Sequence, residues 1–169
     1  MLDRLEVSAG TVEEDFRLAM RQLAAGISIV TAGTDKERGG FTATSVISLS
    51  VDPPRLLVSV DNRSKTWPLL QSNKGFSVNL LAHDQAHLAE VFAGRTQAHG
   101  SDRFAGAAWR RYPGAGFALE GAIASVHCVL EEAIERHGHV LVIGRVLAST
   151  TAPAPALIHW DRSFHKLGS

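Results

Sequence analysis

Short runs of β-branched and apolar residues succeed one another along most of the chain, with turn-forming residues between them and no regular alternation with helical patterns. Ile27 to Ala32, Thr42 to Val51, Arg55 to Asp61 and Phe76 to Leu81 come first. Two long runs follow, Ala122 to Ile134 and His139 to Ser149, joined around Arg136, His137 and Gly138, and a last one covers Leu157 to Trp160. Side chains of this kind suit a pleated, half-buried surface. A doubly wound parallel sheet needs a helix between successive strands, and this chain does not supply one. The pattern predicts a mainly β fold, an antiparallel barrel with short turns.

Helices flank that barrel. Thr11 with Glu14 three residues on forms a capping box, and Phe16, Met20, Leu23 and Ala24 fall on one face, which predicts a helix over about residues 11–25 ended by Gly26. Two shorter helices are expected at Trp67 to Ser72 and Asp84 to Ala93, the latter with Asp84 as N-cap and Gly94 just past its end. Asp52, Pro53 and Pro54 mark a tight turn, since proline has no amide hydrogen for a sheet ladder. Arg95 to Gly116 lacks periodicity and reads as a long loop with a helical turn near Asp102 to Phe104. With 169 residues and 45% apolar content, the chain is expected to form a single domain over residues 1–169.

Seventeen basic and seventeen acidic residues cancel, so the broad positive field of a nucleic-acid binder is missing and any anion site must be local. Cys128 has no second cysteine to pair with, and no charged-then-apolar signal segment opens the chain. The apolar runs are too short for a membrane span. These features point to a cytoplasmic protein.

Two segments carry most of the polar chemistry. In Gly39 to Val46, the hydroxyls of Thr42, Thr44 and Ser45 are set on a strand-like run, and continuous extension would place Thr42, Thr44, Ser48 and Ser50 on one uncharged polar face. Such a face is equally a solvated strand surface or a hydrogen-bonding edge for a flat heterocycle. In Asp61 to Pro68, Asn62, Ser64 and Thr66 alternate with Arg63 and Lys65 just before a predicted helix. Amides, hydroxyls and cations at a helix start suit a phosphate, and they are also ordinary turn residues. No Walker loop or dinucleotide fingerprint occurs. His83 and His87 have helical metal-pair spacing but no intervening glutamate or third ligand, so no metal site is expected. Cys128 reads as a small core residue, and the Arg103, Trp109, Arg110, Arg111 and Tyr112 mixture as a loop surface.

Gly39 to Pro54, Asp61 to Pro68, Phe76 to Leu81, Asp102 to Phe104 and His139 to Gly144 together resemble the short-chain flavin reductases, in order and spacing, over nearly the whole chain beyond the first helix. The resemblance implies the FMN-binding Greek-key split barrel, and a homodimer that uses NADH or NADPH to reduce FMN or FAD, with the reduced flavin passing to a separate monooxygenase. It implies no side chain acting as an acid, base or nucleophile. It places Thr42, Ala43, Thr44, Ser45 and Val46 along the flavin ring, and Asp61, Asn62, Ser64 and Thr66 at the ribityl chain and phosphate. Asn79, Leu80 and Leu81 fall on the ring's other side, His139 at the nicotinamide, and Phe164 as an aromatic wall. The chain departs from the family at three points. Thr44 stands where asparagine is common, His137 and Gly138 replace the glycine and aspartate of a Gly-Asp-His triplet, and Phe164 replaces tyrosine. A non-enzymatic flavin-binding electron carrier on the same barrel is the alternative use of these residues. An oxidase of a phosphorylated vitamin would want more cationic phosphate ligands.

Overall fold

Four features of the chain fix where strands begin and end: capping groups, glycine-bearing turns, the proline pair and the burial demands of each strand. The computed structural model describes residues 10–168; the ends of the expected 1–169 domain, residues 1–9 and 169, lie outside it. In chain order the elements are α1 (Val12–Arg21), β1 (Ala25–Gly26), β2 (Ser28–Gly33), β3 (Arg38–Ala43), β4 (Val46–Val51), β5 (Pro54–Asp61), α2 (Thr66–Asn73) and β6 (Gly75–Leu80). A 3-10 turn, His83–Gln85, leads into α3 (Ala86–Phe92), and another spans Gly100–Phe104. Then come β7 (Trp109–Arg111), β8 (Phe117–Leu119), β9 (Ala124–Arg136), β10 (His139–Thr151), β11 (Ala156–Trp160) and β12 (Ser163–Leu167).

Seven strands form one antiparallel sheet in the order β3-β2-β6-β9-β10-β5-β4. Its two edges, β3 and β4, are consecutive in sequence and joined only by Thr44 and Ser45. Two residues span roughly 10 Å at most between flanking Cα atoms, so the sheet must curl until its edges approach. The outcome is a split barrel, as expected. It also corrects the single strand read over Thr42 to Val51. The chain bends at Thr44, β3 pairs only with β2 and β4 only with β5, so the polar face predicted for Thr42, Thr44, Ser48 and Ser50 is broken at the link and again by a bulge between Ser48 and Ser50.

The barrel interior holds Val30, Ala32, Val58, Val60, Phe76, Val78, Cys128, Val140 and Val142, and α2 adds Trp67 and Leu70. A second core outside the sheet gathers Ile27, Ile29, Leu88, Phe92, Phe104, Phe117 and Leu157 under α3 and the 100–119 segment. β2 therefore serves both cores, and all six of its residues are buried. Between that segment and the sheet lies a polar seam. Asn79 Nδ2 donates to the Ile29 and Phe117 carbonyls at 3.1 and 2.9 Å, and its Oδ1 accepts from Leu119 N and Ser125 Oγ at 2.9 and 2.7 Å.

Several boundaries differ from the sequence reading. The capping box at Thr11 is present, with Glu14 reciprocating, but α1 stops at Arg21 because Ala25 and Gly26 are drawn into β1 against His159 and Ile158 of β11. Asp84 is not an N-cap. Gln85 stands at the start of α3 without a side-chain capping bond, and its amide instead closes the preceding 3-10 turn, accepting from Ala82 N at 3.0 Å and donating to the Glu120 carbonyl at 3.0 Å. The expected loop Arg95 to Gly116 contains the Gly100–Phe104 turn and β7, and β12 extends the sheet of β1, β11 and β12 past the last predicted strand.

Candidate functional site

The split between the barrel's edges opens a cavity of about 670 Å³, a volume in the range of small-molecule sites. β3 and its link supply Phe41, Thr42, Ala43, Thr44 and Ser45. From β5 and the turn after it come Ser59, Asp61, Arg63 and Ser64. β10 adds His139, and the far wall is Phe92, Ala93 and Arg103. The link is held at the mouth by Ser45, whose carbonyl accepts from Ser59 N at 3.3 Å and whose hydroxyl donates to the Ser59 carbonyl at 3.2 Å. Thr42 is fixed differently, its hydroxyl donating to the Ala89 carbonyl of α3 at 2.7 Å. Thr44 is exposed and no hydrogen bond occupies its hydroxyl among the described residues.

β3 can lie this close to the helices because it carries glycine where they touch it. An added methyl at Gly40 would stand 2.8 Å from a Phe92 ring carbon and 2.8 Å from the Val30 carbonyl oxygen. Those distances exclude a side chain.

Opposite the link, the Asp61 to Ser64 turn is tied together by its own charges. Arg63 donates from its backbone N and Nε to Asp61 Oδ1 at 2.9 and 3.1 Å, and from an Nη to Oδ2 at 2.9 Å. These side-chain and backbone hydrogen bonds from Arg63 hold the exposed Asp61 carboxyl down at about 2, with smaller help from the charge of Arg63 and of His139. Ser64 Oγ accepts from Thr66 N at 3.2 Å, where α2 begins. His139 is the first residue of β10 and pairs in register with Asp61, while Asn62 N donates to the Gly138 carbonyl at 3.1 Å. The β9–β10 turn consists of His137 and Gly138, both at positive φ, +48° and +81°. That is the backbone of a tight two-residue hairpin, and it presents His139 at the cavity edge.

Arg103 is the addition that sequence reasoning passed over as loop surface. Its guanidinium is half-buried and bonds only to carbonyl oxygens: Ala98 at 3.3 Å, and Gly40 and Phe92 at 3.4 Å each. No carboxylate neutralises it among the described residues. The edge contacts of Phe104 with Phe92 and Trp109, at 5.1 and 5.0 Å between centroids, fix the segment that carries it. A cation held by dipoles and facing hydroxyls fits an anionic ligand group. The Asp102 to Phe104 stretch was the available signal, but only the fold brings it within reach of Thr44 and Ser64.

Seven of the sequence-derived site residues therefore meet in one cavity: Thr42, Ala43, Thr44, Ser45, Asp61, Ser64 and His139. Val46 and Asn62 flank it without lining it, and Thr66, buried at the start of α2, lines a neighbouring recess. The remaining four lie elsewhere. Asn79 is fully buried with its amide committed to the polar seam, Leu81 is buried in the second core, Leu80 packs against the barrel core, and Phe164 lies on β12 with its ring 6.2 Å from that of His159. Within this chain their side chains do not reach the cavity, because β6 sits in the middle of the sheet and β12 belongs to a different one.

Comparison with known proteins follows the same outline. Residues 20–168 match the family described as flavin reductase like domain. The chain is 35% identical over 156 residues to the FMN reductase (NADH) RutF of Cronobacter sakazakii, covering 92% of this chain and 93% of that one. Among solved structures, BorF, the flavin reductase component of a bacterial two-component tryptophan halogenase, superposes with a TM-score of 0.84 at 30% identity, over 93% of this chain and 99% of that one. The styrene monooxygenase flavin reductase of Pseudomonas putida gives a TM-score of 0.80 at 29% identity, over 91% and 97% of the two chains.

Proposed function

The chain belongs to the flavin reductase-like family and is an NADH-dependent flavin oxidoreductase, and from that premise we propose that flavin is held in the seam cavity and leaves it, reduced, for a separate monooxygenase. The observation that carries the site is Arg103, an uncompensated guanidinium across from the Thr44 and Ser45 link and beside Ser64. Bound flavin, FMN or FAD, and a nicotinamide nucleotide, NADH or NADPH, supply the redox chemistry, a hydride passing from the second to the first. The chain's own residues position and screen. Arg103, Ser64 and the start of α2 hold the phosphate. Thr44, Ser45 and the amides of the link line the ring edge and favour the negative charge that reduction places there. His139, exposed on the side of Asp61, contacts the nicotinamide. Asp61, ionised at neutral pH, pairs with Arg63 and keeps that arginine from competing for the phosphate.

We further place this chemistry in one domain, in the cytoplasm where NADH is made, and in a homodimer. Supporting the dimer, the edge strand β4 beside the cavity exposes Ile47, Leu49 and Val51, and α1 exposes Phe16 and Leu23. The test of function is anaerobic mixing of the purified protein with NADH and excess FMN or FAD. Many turnovers of nicotinamide oxidation establish a reductase with exchangeable flavin. Tight flavin binding without NADH oxidation establishes the electron carrier instead. His139→Ala should raise the KM for NADH at least fivefold with flavin affinity unchanged; loss of flavin binding alone would remove His139 from the nicotinamide side.

A further inference from the structure

Beside the seam cavity a second recess of about 460 Å³ opens, sharing Ser64 and Arg103 with it. Its walls bring Lys36 from the β2–β3 turn and Arg38 from the start of β3 to Lys65 and Arg103, against one carboxylate, Glu37. None of these four cations has an ion-pair partner among the described residues. In a chain whose totals are seventeen and seventeen, such a local excess is not a by-product of overall charge. Arg38 is held in place without a carboxylate, its guanidinium 4.5 Å from the centre of the Phe104 ring and 5.6 Å from that of Phe117. The Gly39–Gly40 backbone and the half-buried Leu69 complete the wall between these cations.

Resting on the proposed flavin site, we infer that this recess receives the adenylate half of FAD, so that the chain binds FAD in preference to FMN. The flavin-side phosphate lies against the shared wall of Ser64 and Arg103, the adenylate phosphate meets Lys36, Arg38 and Lys65, and the adenine lies on the glycine and leucine surface. NADH carries an adenylate of the same chemistry. The recess, however, opens where the flavin phosphate is placed, and His139, the nicotinamide contact, lines the seam cavity and not the recess.

Steady-state KM values for FAD, FMN and NADH, measured at low ionic strength on the wild type, on Lys36→Glu and on the Lys36→Glu, Arg38→Gln double variant, test this. Lys36 is exposed in a turn, so its reversal leaves the fold intact. The expected result is a wild-type KM lower for FAD than for FMN. Lys36→Glu should raise the FAD value at least fivefold and move FMN and NADH less than twofold, with a larger FAD effect in the double variant. Equal shifts for both flavins, no shift for either, or a rise confined to NADH each overturn the assignment, the last giving the recess to the pyridine nucleotide. If the wild type turns over NADH with neither flavin, it is the reductase reading that falls, and this assignment with it.

Discussion

Three ionisable side chains show how position sets protonation in this molecule. Asp61 is held at about 2 by hydrogen bonds from Arg63, against an ordinary value of 3.8. Because the folded value lies below the unfolded one, the unfolded chain takes up the proton first. The stabilisation is complete above about pH 4 and is lost as pH falls toward 2. The carboxyl carbon resonance of Asp61 should titrate with a midpoint near 2. Burial acts in the other sense on Cys128, whose thiol is pushed up to about 12 in the barrel interior. A thiol reagent at pH 8 should leave native protein unlabelled and label it stoichiometrically in denaturant. His127, stacked on Tyr112 at 4.0 Å and bonded through Nδ1 to Ser77 Oγ at 2.9 Å, is kept neutral by burial, its value lowered from 6.5. The unfolded chain therefore binds that proton more readily, and stability falls as pH drops below about 6.5. At this scale the cavity was partly legible. Hydroxyl density marked Thr42 to Ser45 and Ser64, whereas Ser59, Phe92 and Arg103 are ordinary residues whose role comes from which other segment they face.

The elements around the cavity are held by two close fits. β3 lies against α3 with no room at Gly40, so Gly40→Ala forces strand and helix apart. It should cost about 1–3 kcal/mol in chemical denaturation and weaken flavin binding together with stability. β6 is fastened to the segment over it by Asn79. Asn79→Ala takes a donor from the Ile29 carbonyl and the acceptor from the Leu119 amide and the Ser125 hydroxyl in a buried layer, while the Phe117 carbonyl keeps the Thr31 hydroxyl, at a cost of about 3 kcal/mol. The KM for flavin should nevertheless be unchanged in the fraction that stays folded, because that side chain never reaches the cavity. A matching rise in KM would return Asn79 to the site. Most strands were readable from β-branched runs and the two-residue hairpin at His137 and Gly138. The strand break at Thr44 was not, because β-forming residues run from Thr42 to Val51 with no glycine, proline or charge to mark the bend, and only the pairing partners on either side differ. The short β1, β7, β8 and β12 were missed for a related reason: each is a strand by virtue of its neighbour rather than of its own composition.

For the molecule as a whole, the exposed apolar residues of β4 predict that association and ligand binding change together. Ile47→Asp should turn a dimer into a monomer in sedimentation and weaken flavin binding in the same variant; a monomeric wild type with full affinity would separate the two. The two-residue link between the barrel's edges has a consequence for how the protein comes into being. Its flanking strands are neighbours along the chain but outermost partners in the sheet, so five other strands, gathered from residue 28 to residue 151, must be in register before the link can stand across from His139 and Asp61. No fragment or early intermediate can present the cavity. Flavin then binds only the finished barrel and by mass action favours it over every earlier state. Refolding followed by flavin fluorescence should accordingly lag refolding followed by far-ultraviolet dichroism, making the cofactor a proofreader of completed folding.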